Sequence, residues 1–327
     1  MLAETSETTT VDTPSAKKVA TRDAYGEALV ELGREREDLV VLDADLSGST
    51  RTKGFSKAFP ERFFNMGVAE ANMMGTAAGL AAMGKTVFAS SFAMFAAGKA
   101  WEQIRQSICI PQLDVKICAS HAGLTVGEDG KSHQMLEDLT IMGVLPHMTV
   151  IVPADAVEAR GAVRAAADLD GPVYVRLSRA PTPVVLPQEH RFEVGKATTL
   201  RDGSDLAIVA CGVEVGAALD AAALLTADGI EARVINMATI KPLDEELLRR
   251  AAVECGAVLT AEEHQVRGGL GSAVSDLLAR TSPVPMDMVG VEDTFGESGR
   301  AEELLVRFGL DAASLATRAR ALMERKS

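Results

Sequence analysis

Short apolar segments alternate with helix-period segments along almost the whole chain, and this alternation restricts the fold more than any other feature. The apolar run Leu39–Leu42 and the segment Val173–Arg176 are strand-like, whereas residues 22–36 and 69–83 have the spacing of helices. Strands that alternate with helices of ten or more residues are typical of a parallel sheet with helices on both faces. We therefore predict an α/β protein in which Thr21 is the N-cap of the first helix.

A proline cluster divides the chain into two such series of elements. Pro181, Pro183 and Pro187 are typical of a linker, and a second run of strands and helices follows them. The 327 residues are enough for two domains. We therefore predict two three-layer α/β/α domains. Their predicted bounds are 18–190 and 191–327, after a polar, disordered tail at 1–17.

The composition argues against several classes of function. The formal net charge is −13, and an acidic chain is a poor candidate for binding nucleic acid or an anionic membrane. Residues 1–18 lack the apolar core of a signal peptide, and no apolar run is long enough to span a bilayer. The four cysteines form no CxxC pair and three lie in apolar runs, so we expect a reducing, cytoplasmic setting.

Polar residues directly after strands are candidates for a functional site, because ligands bind at the carboxyl ends of the strands in an open parallel sheet. Four stretches have this position: 43–49, 90–95, 121–133 and 176–179. The stretch 121–133 is a glycine-rich loop with two histidines and two acids, which could act as acid/base groups near a substrate. A structural loop with solvated charges fits the same residues, and the loop alone leaves both interpretations open.

Five short motifs occur in order within residues 22–179. They are Ala44-Asp45-Leu46, FNMGVAEANM (64–73), SSFAMF (90–95), GEDGKSHQ (127–134) and Leu177-Ser178-Arg179. In order and approximate spacing they resemble the motifs of the transketolase family, and the run VLTAEEHQVRGGLGSAV (258–274) resembles the C-terminal domain of that family. The resemblance implies a thiamine-diphosphate pyrimidine-binding domain followed by a transketolase C-terminal-type domain.

The resemblance also implies thiamine diphosphate as the cofactor. Glu70 matches the acid that hydrogen-bonds the pyrimidine ring nitrogen and favours the imino tautomer of the cofactor. Phe95 matches the ring that stacks on the pyrimidine, Phe92 precedes it by three residues, and Asp45 matches a further cofactor-binding position. Some members of the family carry another aromatic residue where this chain has Gly98, which predicts a pocket that is wider or filled by another chain.

The implied reaction is the transfer of a two-carbon ketol unit from a phosphorylated ketose to an aldose acceptor. His133 matches a histidine near the first carbons of the donor, and Asp129 matches an acid that contacts the donor hydroxyls. Further residues match positions that hold the terminal phosphate of the sugar. They are Arg22, Ser49, His121 and Arg179. Glu70 and His133 are therefore the predicted catalytic residues, whereas the sequence does not identify the sugars or the pathway.

The sequence predicts a partner chain. Transketolases bind Mg²⁺ and the diphosphate through a Gly-Asp-Gly motif and a later Asn, and this chain has no such motif. The stretch Gly268–Gly271 is only a fragment of a phosphate-binding pattern, and we interpret it as a tight strand-to-helix turn. We therefore expect no metal ligand in this chain. A separate N-terminal, diphosphate-binding subunit would hold the Mg²⁺ in an α₂β₂ heterotetramer.

Three other interpretations stay open at this stage. The β subunit of a 2-oxo acid dehydrogenase has the same two-domain layout, and 1-deoxyxylulose-5-phosphate synthase is a relative that normally forms one long chain. The motifs at 127–134 and 177–179 favour transketolase. A non-catalytic interaction subunit with the same fold is the alternative from another class, and intact Glu70, Phe95 and His133 argue against it. A NAD-binding module is not expected, because no full glycine fingerprint follows a strand.

Overall fold

The computed structural model describes residues 17–326, so the predicted disordered tail, except for its last residue, lies outside the described range. The strands are, in chain order, β1 Lys18–Val19, β2 Leu39–Asp43, β3 Phe63–Asn65, β4 Thr86–Phe92, β5 Val115–Ser120, β6 Thr149–Ile151, β7 Val173–Arg176, β8 Thr182–Pro183, β9 Thr198–Arg201, β10 Leu206–Ala210, β11 Ala232–Asn236, β12 Thr239–Lys241, β13 Val258–Gln265 and β14 Met286–Val291.

Helices follow most of these strands. They are α1 Thr21–Glu35, α2 Ser47–Thr50, α3 Lys53–Ala58, α4 Glu70–Ala82, α5 Trp101–Gln103, α6 Asp138–Gly143, α7 Ala156–Asp168, α8 Glu214–Thr226, α9 Glu245–Cys255, α10 Leu270–Thr281, α11 Ala301–Arg307 and α12 Ala312–Glu324. Short 3₁₀ segments occupy Pro60–Arg62 and Leu124–Asp129. Within residues 17–326, none of these helices combines the length and apolarity needed to cross a membrane.

The first domain is built on a seven-stranded sheet with the order β12-β6-β7-β5-β4-β2-β3. All neighbours pair in parallel except β12, which adds to the edge in antiparallel orientation. Both faces of this sheet are covered. In β2, Leu39 and Val41 pack with α1 and α7, whereas Val40 and Leu42 pack with α4 on the opposite face. This is the predicted three-layer α/β/α arrangement.

The second domain has a five-stranded sheet with the order β14-β13-β10-β11-β9, in which only β9 is antiparallel. Its central strand β10 is also buried on both faces. Ile208 packs toward α8 and α12, and Val209 belongs to a core that also contains Leu42 of the first domain. One apolar core is thus continuous across both halves of the chain. The strand β12 lies beyond residue 190, yet it pairs with β6 of the first sheet.

The predicted N-cap of the first helix is wrong. Ala20 is the N-cap of α1, and no side chain caps this helix. The hydroxyl of Thr21 lies 3.0 Å from Ser178 Oγ and accepts a hydrogen bond from the Ser178 amide at 2.7 Å. Thr21 therefore joins the start of α1 to the segment that follows β7, a contact over 157 positions that local sequence does not reveal.

The helical segment around α5 begins at Met94 and is irregular. Its turns are π-helical over Met94–Lys99 and Ile104–Cys109, on either side of α5. Such turns insert a residue into the helical repeat and occur frequently at functional sites. The sequence also gave no indication of α2, α3 and β3, which are too short for a periodic pattern.

All four cysteines are buried and unpaired. Burial raises the pKa of the Cys109 thiol to about 11, and it raises the pKa of the Cys118 thiol further. The thiols are therefore protonated near neutral pH and pack as small apolar side chains.

Candidate functional site

Glu70 is the first residue of α4, and its side chain is 2% exposed. Oε2 of Glu70 accepts a 2.6 Å hydrogen bond from Nζ of Lys99, the last residue of the π-helical segment Met94–Lys99. This ion pair ties the start of α4 to the segment that contains Phe95. Sequence reasoning missed Lys99, because nothing local marks a lysine that lies 29 positions away as the partner of Glu70.

Four predicted site residues form one cluster of rings. Phe92 ends β4 and is nearly parallel to Phe95, with ring centroids 6.1 Å apart and planes at 18°. His121 stacks on Phe92 at a centroid distance of 3.7 Å. The His133 ring is nearly perpendicular to Phe92 and Phe95, with centroid distances of 6.1 and 5.6 Å. The cluster combines flat apolar surface with two imidazoles, so it can hold a planar ring beside polar ring nitrogens.

The space beside Gly98 is bordered by methionines of this chain. A Cβ at Gly98 would lie 3.6 Å from Met135 Cε and 3.6 Å from Met94 Sδ. Both distances are ordinary van der Waals contacts. The side chains that approach the position of the missing aromatic residue are therefore flexible thioethers, which fill irregular gaps.

The hydrogen bonds of His121 determine its tautomer. Nε2 of His121 lies 3.2 Å from Arg22 Nη1, and Nδ1 lies 2.9 Å from Ser120 Oγ. Because a guanidinium only donates, Nε2 is the acceptor and Nδ1 carries the proton. Burial, together with repulsion from Arg22 and Arg179, lowers the pKa of His121 to about 3. His121 is therefore neutral at physiological pH.

Arg22, in the first turn of α1, has a guanidinium group whose N–H donors are only partly paired. Its Nη1 donates to the Ser49 carbonyl at 3.0 Å, whereas its buried Nε has no hydrogen-bond partner in the described part of the chain. Burial and repulsion from Arg51 and Arg179 lower the pKa of Arg22. A half-buried cation that has an unpaired Nε–H and further cations nearby is an arrangement that an anion would stabilise.

Asp43 organises the loop that contains Asp45 and Ser49. One oxygen of the buried Asp43 carboxyl accepts from the Leu46 amide at 2.6 Å, and the other accepts from Thr50 Oγ1 at 2.6 Å. Burial raises the pKa of Asp43. Asp45 has a φ of 65°, is exposed, and accepts a 3.0 Å hydrogen bond from Asn65.

Arg179 binds the turn that ends at Asp129. Nη1 of Arg179 donates to the Val126 carbonyl at 2.5 Å and to Glu128 Oε2 at 2.9 Å. Asp129 is exposed at the end of the turn Leu124–Asp129. The structure therefore brings the ring cluster, Arg22 and Ser49 into contact, and joins Glu70 through Lys99. Asp45 and Asp129 make no hydrogen bond to that group within residues 17–326.

Two family models cover most of the chain. The transketolase pyrimidine-binding domain matches residues 17–184, and the transketolase C-terminal domain matches residues 195–315. The chain belongs to the transketolase family. The order of the two domains is the one that the sequence motifs predicted, and the fold class is confirmed.

Relatives of similar length are named as sections or subunits of transketolases. A putative transketolase C-terminal section of Methanocaldococcus jannaschii is 52% identical and covers 91% of this chain and 94% of its own length. A 6-deoxy-6-sulfo-D-fructose transketolase subunit of Clostridium sp. is 44% identical, with coverages of 94% and 95%. A solved structure described as a split gene transketolase, inactive beta4 tetramer, is 54% identical, with a TM-score of 0.89 and coverages of 94% and 100%.

Longer transketolases match this chain with about half of their length. Human transketolase is 37% identical over 94% of this chain but only 49% of its own length. The chain is therefore a transketolase-family C-terminal subunit, equivalent to the pyrimidine-binding and C-terminal domains of the longer enzymes.

Proposed function

We propose that this chain is the C-terminal subunit of a split transketolase, which transfers a two-carbon ketol unit from a phosphorylated ketose to an aldose acceptor together with an N-terminal subunit. The observation that carries the proposal is the buried Glu70 carboxylate, tied through Lys99 to the segment that contains Phe95. A carboxylate and a flat aromatic surface are the two features that an aminopyrimidine ring requires of its site.

The residues present fit thiamine diphosphate. Phe92 and Phe95 supply adjacent, nearly parallel rings against which a pyrimidine can stack, and Glu70 supplies a carboxyl oxygen that can share a proton with the pyrimidine ring nitrogen. Asp45, exposed in the loop that follows β2, is a further proposed contact to the cofactor. When bound, thiamine diphosphate supplies the nucleophilic carbon for carbon–carbon bond cleavage.

We place Mg²⁺ and the diphosphate mainly on the N-terminal subunit. Human transketolase extends over about as much additional chain as the matched half, which leaves room for such a site in a second subunit. Within residues 17–326, no group of three or more His, Cys, Asp or Glu side chains is arranged to hold a metal ion. The assembly that we propose is an α₂β₂ heterotetramer.

The proposed substrates are sugars with an anionic end. Arg22 and Arg179 both lie close enough to His121 to lower its pKa, and two neighbouring guanidinium groups suit a phosphate. Ser49 and His121, which contact Arg22, are the further proposed contacts to the phosphate. The Clostridium relative is named for a sulfo-sugar, and a relative from Phocaeicola vulgatus, 38% identical, is named for apulose-4-phosphate. Both names describe sugars with an acidic group, which supports this class of substrate.

His133 and Asp129 are the proposed contacts to the donor sugar. The ring of His133 is nearly perpendicular to Phe92 and Phe95, the rings against which we propose that the pyrimidine stacks. From this position its imidazole could exchange a proton with the hydroxyl groups of the donor sugar. Asp129 is exposed and thus free to accept hydrogen bonds from a sugar. Sugar chemistry of this kind and the unpaired cysteines fit carbohydrate metabolism in the cytoplasm.

Reconstitution tests the proposal. The purified chain is mixed with a candidate N-terminal subunit that carries the Gly-Asp-Gly motif. Ketol transfer from phosphorylated ketoses, native mass and thiamine diphosphate binding are measured for each chain and for the mixture. We expect activity only in the mixture, with two subunits of each kind. Robust turnover by this chain alone would contradict the need for a partner, and an assembled complex that transfers no ketol unit would contradict the reaction.

A matched pair of variants tests Glu70 in the same complex. Glu70→Gln keeps the size of the side chain but removes the acid, so kcat should fall by about 10²-fold or more. Glu102→Gln makes the same change at an exposed site in α5 and should leave kcat unchanged. An active Glu70→Gln complex would exclude the assigned role.

A further inference from the structure

The C-terminal domain contacts the loop His121–Gln134 directly. Glu263 lies in β13 and is 2% exposed. One oxygen of its carboxylate accepts a hydrogen bond from the Thr125 amide, and the other accepts a 3.1 Å bond from Thr125 Oγ1. Both donors of Thr125, a residue near the start of this loop, are thereby satisfied by one acid of the other domain.

Gly123 makes this contact possible. It has a φ of +83°, and a Cβ placed on it would overlap the Glu263 carboxylate. A side chain at this position would therefore be strained and would also displace the acid.

A second segment of the C-terminal domain, residues 296–300, holds the other end of the loop. Gln134 Nε2 donates to the Glu297 carbonyl at 3.0 Å and to the Leu124 carbonyl at 3.1 Å. The approach of Ser298 to Gly130 leaves no room for a Cβ. The loop is thus connected to the C-terminal domain both near its start and near its end.

The position of Glu263 is itself fixed to the first sheet. The buried Arg176 guanidinium, at the end of β7, donates to the Glu263 carbonyl at 2.8 Å and to Asp138 Oδ2 at 2.8 Å. Arg176 also stabilises the Glu263 carboxylate by charge, although burial dominates and raises the pKa of Glu263 to about 7. Glu263 therefore lies between the first sheet and the loop and cannot easily move relative to either.

We propose that Glu263 is a positioning residue, by which the C-terminal domain holds the loop His121–Gln134 so that His121 and His133 lie against Phe92. The contacts at Thr125 and Gln134 restrain this loop, and both histidines lie close to its ends. The ring centroids of His121 and His133 lie 3.7 and 6.1 Å from that of Phe92. Glu263 does not touch the substrate. It acts through the loop, and its consequence for turnover rests on the function proposed above.

The neighbouring Glu262 is a matched control. It is 1% exposed, burial raises its pKa to about 7, and it also accepts two hydrogen bonds. Its partners, however, are the amides of Leu270 and Gly271 at 2.7 and 2.8 Å, inside the C-terminal domain. Loss of either acid removes two buried hydrogen bonds, but only loss of Glu263 releases the loop.

The first experiment measures geometry without turnover. In the full chain with isotope-labelled histidines, ring resonances are recorded for wild type, Glu263→Ala and Glu262→Ala, and the five histidines are assigned by single His→Gln changes. We expect Glu263→Ala to move the His121 and His133 signals, and Glu262→Ala to leave them in place at a similar loss of thermal stability. Equal shifts in the two variants, or none in Glu263→Ala, would overturn the proposal.

The second experiment uses the reconstituted complex. Displacement of reacting groups by about 1 Å can cost roughly 10²-fold in rate, so kcat/KM should fall about 10- to 100-fold in Glu263→Ala and less than twofold in Glu262→Ala. Glu263→Gln keeps an acceptor for the Thr125 amide and should recover most of the loss. Thr125→Val, which removes only the hydroxyl, provides a milder variant if Glu263→Ala does not fold. Equal losses of kcat/KM in Glu263→Ala and Glu262→Ala would contradict the positioning role of Glu263. An inactive wild-type complex would instead contradict the proposed function, and the NMR experiment would still test the positioning role.

Discussion

The ammonium group of Lys99 donates a 2.6 Å hydrogen bond to Oε2 of the buried Glu70 carboxylate. The two side chains differ in environment, since Glu70 is 2% exposed and Lys99 is 54% exposed. The lysine therefore compensates a buried charge from the edge of the site. It also connects the helix that begins at Glu70 with the segment that contains Phe95.

We expect the pair to contribute measurably to stability. In a double-mutant cycle with Lys99→Met and Glu70→Gln, the coupling free energy should be about 1–2 kcal/mol, between the values of exposed and buried ion pairs. Urea unfolding of the four proteins at pH 7 measures it. A coupling within experimental error of zero would mean that Lys99 contacts Glu70 without stabilising it.

Arg179 should distinguish phosphorylated from unphosphorylated substrates. Charge-assisted hydrogen bonds contribute about 1.5–3 kcal/mol each, so Arg179→Ala should raise the KM for a phosphorylated acceptor about tenfold or more. The KM for an unphosphorylated analogue should barely change. Arg164→Ala, which removes an exposed partner of Glu35, is the control. Equal losses on both substrates in Arg179→Ala would show that Arg179 is structural, since it also binds the Val126 carbonyl.

His121 should stay neutral down to low pH, with the proton on Nδ1. Because its pKa is about 3 in the folded chain and 6.5 in the reference state, the unfolded chain binds the extra proton first. The contribution of His121 to stability is therefore complete above pH 6.5 and is lost as the pH falls toward 3.

Histidine NMR titration of the chain checks the state of His121. Removal of the neighbouring charge in Arg22→Met should raise the pKa of His121, whereas Arg34→Met, at an exposed site of the same helix, should leave it unchanged. A His121 that gains its second proton near pH 6.5 in the wild type would contradict the hydrogen-bond assignment.

Glu214 should make the free energy of unfolding of the chain fall as the pH rises. Its carboxyl is fully buried, neither oxygen has a hydrogen-bond partner in the described residues, and burial raises its pKa well above the ordinary value. Because the folded chain keeps a proton that the unfolded chain releases, stability falls with increasing pH above about 4.5.

A pair of methionine variants tests this effect. Glu214→Met should stabilise the chain by about 1–3 kcal/mol at pH 8 and by less at pH 5. Glu245→Met makes the same change at the exposed first residue of α9 and should show no such trend. A gain for Glu214→Met that is independent of pH would mean that this carboxyl is not the titrating group.

Much of the fold could be predicted because its signals are local. The run at Leu39–Leu42 is buried on both faces and has no polar interruption, so it was recognisable as a central parallel strand. Glu70 could be placed at the start of a helix because small residues follow it in sequence. The ring cluster could be anticipated only in part, since motif spacing identified Phe92, Phe95 and His133 as site residues but not their stacking.

Contacts between distant residues could not be predicted in the same way. The strand β12 joins the sheet of the first domain from beyond the proline linker, although nothing in its three residues indicates which sheet it will enter. Thr21 has the chemistry of an N-cap, yet its hydroxyl is used by Ser178. In each case the deciding partner lies far away along the chain.

The sequence by itself determined the α/β class, the family and the chemical types at the site, because periodicity and motif order depend on neighbouring residues. Only the tertiary structure decided which charges meet. Lys99 pairs with Glu70 across 29 positions, and Glu263 binds Thr125 across 138 positions. The physical reason is that a buried charge or amide is costly without a hydrogen-bond partner within about 3 Å. The packing of the two sheets and their helices determines which residue provides that partner, and this packing is a property of the whole chain.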